Sequence, residues 1–235
     1  MPSLEAIALD ADDTLWHNER FFRLTQDHFA ALLADVAPRE HLEARLLAAE
    51  QRNLGTYGFG IKGFMLSMIE TALEVTEDKV PARVIREIVA AGQEMLAHPI
   101  ELLPNARAAV ERLARSHPLL LITKGDLLDQ ERKLAQSGLG DFFAGVEIVS
   151  DKTPPVYAAI FARRGLAPGS VLMAGNSLKS DVLPVLEVGG FGVHVPHDLT
   201  WALERVAAPE DHARFHRIDD LGDLPTLVER IEMTS

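Results

Sequence analysis

Five short apolar runs constrain the fold of this chain more than any other feature. They are LEAIALD (4–10), PLLLIT (118–123), GVEIV (145–149), SVLMAG (170–175) and FGVHV (191–195). Each has the length of a strand buried on both faces and is too short for a core helix. Amphipathic stretches at 104–116, 126–137, 154–164 and 179–188 separate the later runs, several of them closing on a glycine. Strand and helix in alternation predict an α/β fold, a parallel sheet with helices on both faces.

The first gap breaks this rhythm. About a hundred residues separate LEAIALD from PLLLIT, with helical periodicity in Phe21, Phe22, Leu24, Phe29, Leu32 and Leu33 and no convincing strand. An inserted all-helical module of about four helices is predicted over 17–98, leaving 1–16 and 99–235 as one core. Two prolines in AHPIELLP (97–104) mark its exit. There is no internal repeat.

Composition narrows the function classes. A formal net charge of −12 opposes broad binding to nucleic acid or an anionic membrane, so neither is expected as a partner. An anionic substrate would need a locally positive pocket or a metal. The chain has no cysteine, which excludes disulfides, thiolate catalysis and cysteine zinc sites. The opening MPSLEAIALDADD carries no basic leader, and no segment approaches the roughly eighteen apolar residues of a membrane span. The reading is cytoplasmic. No feature of the sequence speaks to oligomeric state.

In open parallel sheets, ligands bind beyond the carboxyl ends of the strands. The residues that follow the runs are therefore the candidate site: Asp10, Asp12 and Thr14; Thr123, Lys124 and Gly125; Lys152 in SDKTPP; and Asn176, Ser177 and Asp181 in GNSLKSD. Asp10, Asp12 and Asp13 fall within four positions. Like charges roughly 5 Å apart repel by about 3 kcal/mol at an effective dielectric near 20, so a cation or a reaction must justify the crowding.

DADDT with its preceding strand, LLLITKGD, SDKTP and GNSLKSD, in that order, resemble the four motifs of the haloacid dehalogenase superfamily, in its magnesium-dependent phosphatase branch. The resemblance covers essentially the whole chain, because the helical insertion sits where that family places an α-helical cap of the C1 type. It implies a three-layer Rossmann-like core with an inserted all-helical cap domain. It further implies that Asp10 attacks phosphorus to form an aspartyl phosphate, while Asp12 protonates the leaving oxygen and later takes a proton from water. Mg²⁺ would be held by Asp10, the Asp12 carbonyl, Asn176 and Asp181. Thr123 and the amides of Lys124 and Gly125, before a helix that Asp126 caps, would cradle the phosphate, and Lys152 would neutralise Asp10. The substrate implied is a small phosphorylated metabolite.

Two positions depart from the family pattern. Glycine is usual where Asp13 stands, and Asp13 is expected to cap a helix or face solvent. The fourth motif commonly begins with Asp where this chain has Asn176, whose amide oxygen ligates Mg²⁺ without charge. The halide-releasing dehalogenases of the superfamily also use an asparagine in that region and no magnesium, but they lack a carboxylate two residues after the nucleophile. A dehalogenase, a poorly catalytic ligand-binding member and a phosphomutase are the alternatives.

Three further patterns stand outside these motifs. GFGIKG (58–63) spells G-x-G-x-x-G with no strand before it, so it is not a dinucleotide site. As a loop in the helical module it makes Tyr57, Lys62 and Arg52 candidates for substrate contact, and a plain helix connection is the equal alternative. His194 and His197, and His212 and His216, lack the HExxH glutamate and read as loop and surface histidines. Phe59, Phe64, Met65, Met68 and Ile69 read as core of the helical module.

Overall fold

The computed structural model describes residues 4–234. Each apolar run forms a strand: β1 (Ala6–Leu9), β2 (Leu119–Lys124), β3 (Phe143–Val149), β4 (Val171–Gly175) and β5 (Phe191–His194). A sixth, β6 (Phe215–Arg217), has no apolar run behind it; it is a short, part-exposed edge strand on β5. All pairings are parallel and the order is β3-β2-β1-β4-β5-β6. This is the doubly wound order, in which the order of strand addition reverses at β1, where such folds open their ligand crevice.

Alternation along the strands builds the layers. Ile7, Leu9, Leu119, Leu121, Leu172, Ala174 and Val193 face α5 (Ala106–Leu113) and the C-terminal α9 (Leu224–Thr234), through Val110, Leu113, Leu224 and Leu227. Ala6, Ala8, Leu120, Ile122, Val171 and Met173 face the other way, onto Tyr157, Ile160 and Phe161 of α7 (Pro154–Arg163) and Val185 of α8 (Leu183–Glu187). Sheet between two helix layers is the three-layer α/β core. α6 (Leu127–Ser137) follows β2.

The chain divides into two compact units, one running to Glu19 and resuming at Ile100, the other Arg20–Pro99. Four helices build the second: α1 (Glu19–Leu32), α2 (Arg39–Tyr57), α3 (Ile61–Val75) and α4 (Ala82–Ala97). Phe29, Leu33, Leu42, Leu46, Phe64, Met68 and Ile88 form its core. Leu24 is not part of it: at 63% exposure it points away from the face that carries Phe29 and Leu33. GFGIKG is the connection between α2 and α3, with Gly58 and Gly60 at φ 72° and 112°. Among the described residues, no helix is long and apolar enough to cross a membrane.

Candidate active site

The register Leu9↔Leu121 and Leu9↔Ala174 sets Asp10 one residue short of Thr123 and Asn176 along the sheet, so these residues share one rim. Asp10 leaves β1 with its N–H still bonded to the Ala174 carbonyl at 3.0 Å. Its Oδ1 accepts from Lys152 Nζ at 2.5 Å and its Oδ2 from Thr14 Oγ1 at 3.0 Å. The same ammonium donates to Asp181 Oδ1 at 2.7 Å. Lys152, Asp10 and Asp181 are all buried, so one cation serves two desolvated carboxylates. Burial and the negative charge of Asp181 push the Asp10 carboxyl up to about 7 against the pull of Lys152. Burial works against the Lys152 charge, but Asp10 and Asp181 outweigh it and hold that proton more tightly than on an ordinary lysine.

The fourth motif is wound tightly beside this pair. Asn176 donates its N–H to Thr14 Oγ1 at 3.0 Å, and its Oδ1 lies 3.4 Å from the same hydroxyl. The chain then makes a widened, π-type turn over Leu178–Val182, with Val182 N–H reaching the Ser177 carbonyl at 3.3 Å. The turn is pinned by Ser177 N–H donating to Asp181 Oδ2 at 2.9 Å and by Tyr157 O–H donating to the Ser180 carbonyl at 3.0 Å. A Cβ on Gly175 would lie 2.2 Å from Asp181 Oδ2, so only glycine lets that carboxylate lie against the strand end. His194 is not a surface histidine: its Nε2 bonds the Asn176 carbonyl at 3.1 Å, and burial lowers its pKa.

Asp12 turns elsewhere. Trp16 Nε1 donates to its Oδ1 at 2.7 Å, Lys133 Nζ to both oxygens at 3.0 and 3.1 Å, and Gln130 Nε2 to Oδ2 at 3.3 Å. Gln130 also donates to Thr123 Oγ1 at 2.5 Å, which links the second motif to the first. Asp13 takes a third direction and caps α1, accepting from the N–H groups of Asn18 at 2.8 Å and Glu19 at 2.9 Å. Its φ of 61° is left-handed, a conformation open to glycine and tolerated by aspartate. Burial pushes its carboxyl up to about 6 against the attraction of His197.

The Thr123 hydroxyl is buried, and Asp126 caps α6 by accepting from Asp129 N–H at 3.1 Å. Gly125, at φ 141°, donates its N–H to the Val149 carbonyl at 3.3 Å, so the amide expected to meet a phosphate oxygen here completes the sheet. The Lys124 ammonium reaches Glu204 Oε1 at 2.6 Å and Ser180 Oγ at 2.8 Å. Glu204 also accepts from Ser177 and Ser180, the latter at 2.6 Å. Sequence reasoning missed Glu204, Lys133 and Gln130. In the helical unit, the exposed Tyr57 donates its O–H to Glu70 at 2.9 Å, and that bond pushes its phenol pKa up. Lys62 is exposed in the first turn of α3, and Arg52 lies 3.9 Å from Glu74.

Among the described residues, no three His, Cys, Asp or Glu side chains form a ready metal cage. The donors nonetheless suit magnesium, which needs only one or two carboxylates and retains waters. Asp10, Asp181, the Asn176 amide and the Asp12 carbonyl are all hard oxygens. Burial first and the Asp181 charge second raise the Asp10 pKa against Lys152, and a cation at these oxygens would oppose both.

The haloacid dehalogenase-like hydrolase family model matches residues 4–189. A haloacid dehalogenase-like family hydrolase from Xanthomonas campestris is 39% identical with a TM-score of 0.89, the match covering 99% of this chain and 93% of that one. The HAD-hydrolase YfnB of Bacillus subtilis, bound to magnesium, shares 16% identity and a TM-score of 0.68 over 96% of this chain and 99% of its own. An L-2-haloacid dehalogenase from Xanthobacter autotrophicus, with chloropropionic acid covalently bound, shares 18% identity and a TM-score of 0.63 over 96% and 98%. No curated protein matches the chain. A family match over most of the sequence, and a relative of this identity along nearly its whole length, show that the chain belongs to the haloacid dehalogenase-like hydrolases.

Proposed function

We propose that this hydrolase is a Mg²⁺-dependent phosphatase that cleaves a small phosphomonoester through an aspartyl phosphate on Asp10. The observation that carries the reading is the second carboxylate, Asp12, two residues after the nucleophile and near enough to raise the Asp10 pKa. Displacing a halide requires no such group, whereas an alkoxide leaving phosphorus requires a proton. That the ester is a small metabolite rests on the resemblance to capped phosphatases.

Asp10 is held for attack by Lys152 and Thr14, one on each oxygen. Its free electron pair forms the bond to phosphorus while the ester oxygen departs with a proton from Asp12. Lys152 balances the Asp10 charge and that of the transferring group. Water then attacks the acyl phosphate, gives its proton to Asp12, and regenerates the Asp10 carboxylate. Asp10, Asp181, Asn176 and the Asp12 carbonyl would hold magnesium, which when bound would supply positive charge to offset the approach of two anions.

The dehalogenase reading is kept for Asn176, the uncharged residue of the fourth motif, and Asp12 weighs against it. The test is release of p-nitrophenol from p-nitrophenyl phosphate, with Mg²⁺ and with chelator, by wild type and Asp10→Asn. Metal-dependent turnover lost in the variant is expected. Absence of turnover, or turnover that survives without Asp10, refutes the mechanism, and halide release from 2-chloropropionate then decides for the alternative.

A further inference from the structure

At its start α6 is amphipathic in the reverse sense, whereas Leu134 further along packs against the core. Its apolar Leu127 and Leu128 are 59% and 70% exposed, while Asp129, Gln130, Lys133 and Ser137, at helical spacing, are buried. Burying a lysine costs several kcal/mol unless it is well paired, so a helix that hides one and exposes two leucines answers to something other than stability.

The partners of that face identify what it serves. Lys133 Nζ donates to both oxygens of Asp12 and to Asn18 Oδ1 at 2.9 Å, and lies 3.5 Å from Asp129. Gln130, on the same face, ties Asp12 Oδ2 to the Thr123 hydroxyl. With Trp16 on Oδ1, the Asp12 carboxylate is fixed from three sides. Nothing comparable would be needed for a carboxylate that only capped a turn.

We propose that Lys133 and Gln130 are positioning residues for Asp12, holding its carboxyl where it gives a proton to the leaving oxygen and later takes one from the attacking water. The proposal rests on the phosphatase reading. In the first half, the Asp12 O–H bond breaks and the leaving-group O–H bond forms as the ester P–O bond opens. In the second, a water O–H bond breaks and that proton returns to Asp12. Lys133 and Gln130 exchange no proton in either half.

A residue that acts through a general acid changes how rate depends on the leaving group, which a merely structural residue does not. The experiment measures kcat/KM for a series of aryl phosphates from p-nitrophenyl to phenyl phosphate, with Mg²⁺, in wild type, Asp12→Asn, Lys133→Met, Gln130→Met and Leu128→Gln. General acid catalysis contributes about 10²–10⁴-fold, so Lys133→Met is expected to lose about 10²-fold on phenyl phosphate and far less on p-nitrophenyl phosphate. Its plot against leaving-group acidity steepens toward that of Asp12→Asn, and Leu128→Gln keeps the wild-type slope. Gln130→Met leaves the buried ion pair intact and gives the same steepening in smaller measure, which carries the test if Lys133→Met does not fold. Equal losses on every ester, or an unchanged slope in both variants, overturn the proposal. A wild type that hydrolyses none of the esters overturns instead the phosphatase reading beneath it.

Discussion

Replacing Glu204 by glutamine isolates a bridge that holds the site from outside the four motifs. Glu204 Oε1 receives the Lys124 ammonium at 2.6 Å, and its Oε2 receives the hydroxyls of Ser177 and Ser180. Glutamine keeps the shape and one acceptor, but it places an amide NH₂ against donors and removes the counter-charge of Lys124. Hydrogen bonds to a charged group contribute about 1.5–3 kcal/mol each, and breaking a buried pair costs about 3–5 kcal/mol. The two side chains are 11% and 16% exposed and Lys124 keeps the Ser180 hydroxyl, so the lower end, about 3 kcal/mol, is expected. Both tryptophans, Trp16 and Trp201, lie in the unit that carries the bridge, so their fluorescence in a urea titration reads its unfolding directly. The effect also has a sign in pH. Burial raises the Glu204 pKa, but Lys124 and the two serines outweigh it and leave the group below its ordinary 4.5. Its stabilisation is therefore complete above 4.5 and fades as pH falls through the lower folded value, and the variant has a flatter acid limb. A loss under about 1 kcal/mol, or strict additivity with Lys124→Met in a double-mutant cycle, would refute the reasoning.

The remaining predictions concern single contacts. Gly175→Ala places a Cβ 2.2 Å from Asp181 Oδ2, so the carboxylate is displaced; Mg²⁺ binding measured by calorimetry weakens, at about 1–3 kcal/mol of stability in urea. His216 is half-buried, and its pKa is lowered first by burial and then by Arg230. Acid protonates the unfolded chain first, so stability falls as pH drops below about 6.5, and His216→Phe flattens that fall in thermal melts followed against pH. Leu127→Gln and Leu128→Gln change stability by less than about 0.5 kcal/mol in the same titrations, because neither leucine is covered.

The strands were legible because buried parallel strands are written as uninterrupted apolar runs, and Ile7 or Leu172 has no other plausible environment. β6 carries the sequence Phe-His-Arg on an edge and leaves no such signature. α9 has Leu224, Leu227, Val228 and Ile231 at helical spacing, a readable pattern that follows the last recognised run. The expected helix over 179–188 is instead a π-type turn followed by a short α-helix, because Ser177 and Asp181 bond each other across its start. Of the site, Asp10, Lys152 and Asp181 meet at one ammonium, and these lie in motifs that order along the chain picks out. Gln130, Lys133 and Glu204 do not. A lone lysine in a helix reads as solvated, apolar periodicity turns the start of α6 the wrong way, and Glu204 ends a single 3₁₀ turn, Ala202–Glu204, with no pattern to mark it.

The three carboxylates within four positions, Asp10, Asp12 and Asp13, have separate explanations. Repulsion of about 3 kcal/mol at 5 Å is outweighed by an ammonium about 3 Å away, worth about 5 kcal/mol at the same dielectric. Asp12 has such a partner in Lys133, and Asp13 has the N–H groups that open α1. Asp10 has the Thr14 hydroxyl and a share in Lys152, which also serves Asp181, and burial followed by the Asp181 charge pushes it up to about 7. Asp12 thus has Lys133 on both oxygens, Asp13 a pair of backbone donors, and Asp10 an ammonium that it shares with a second buried carboxylate. On the phosphatase reading proposed above, a divalent cation would bind between Asp10 and the fourth motif, and removing it is expected to disable Asp10 while leaving the Asp12 and Asp13 contacts intact.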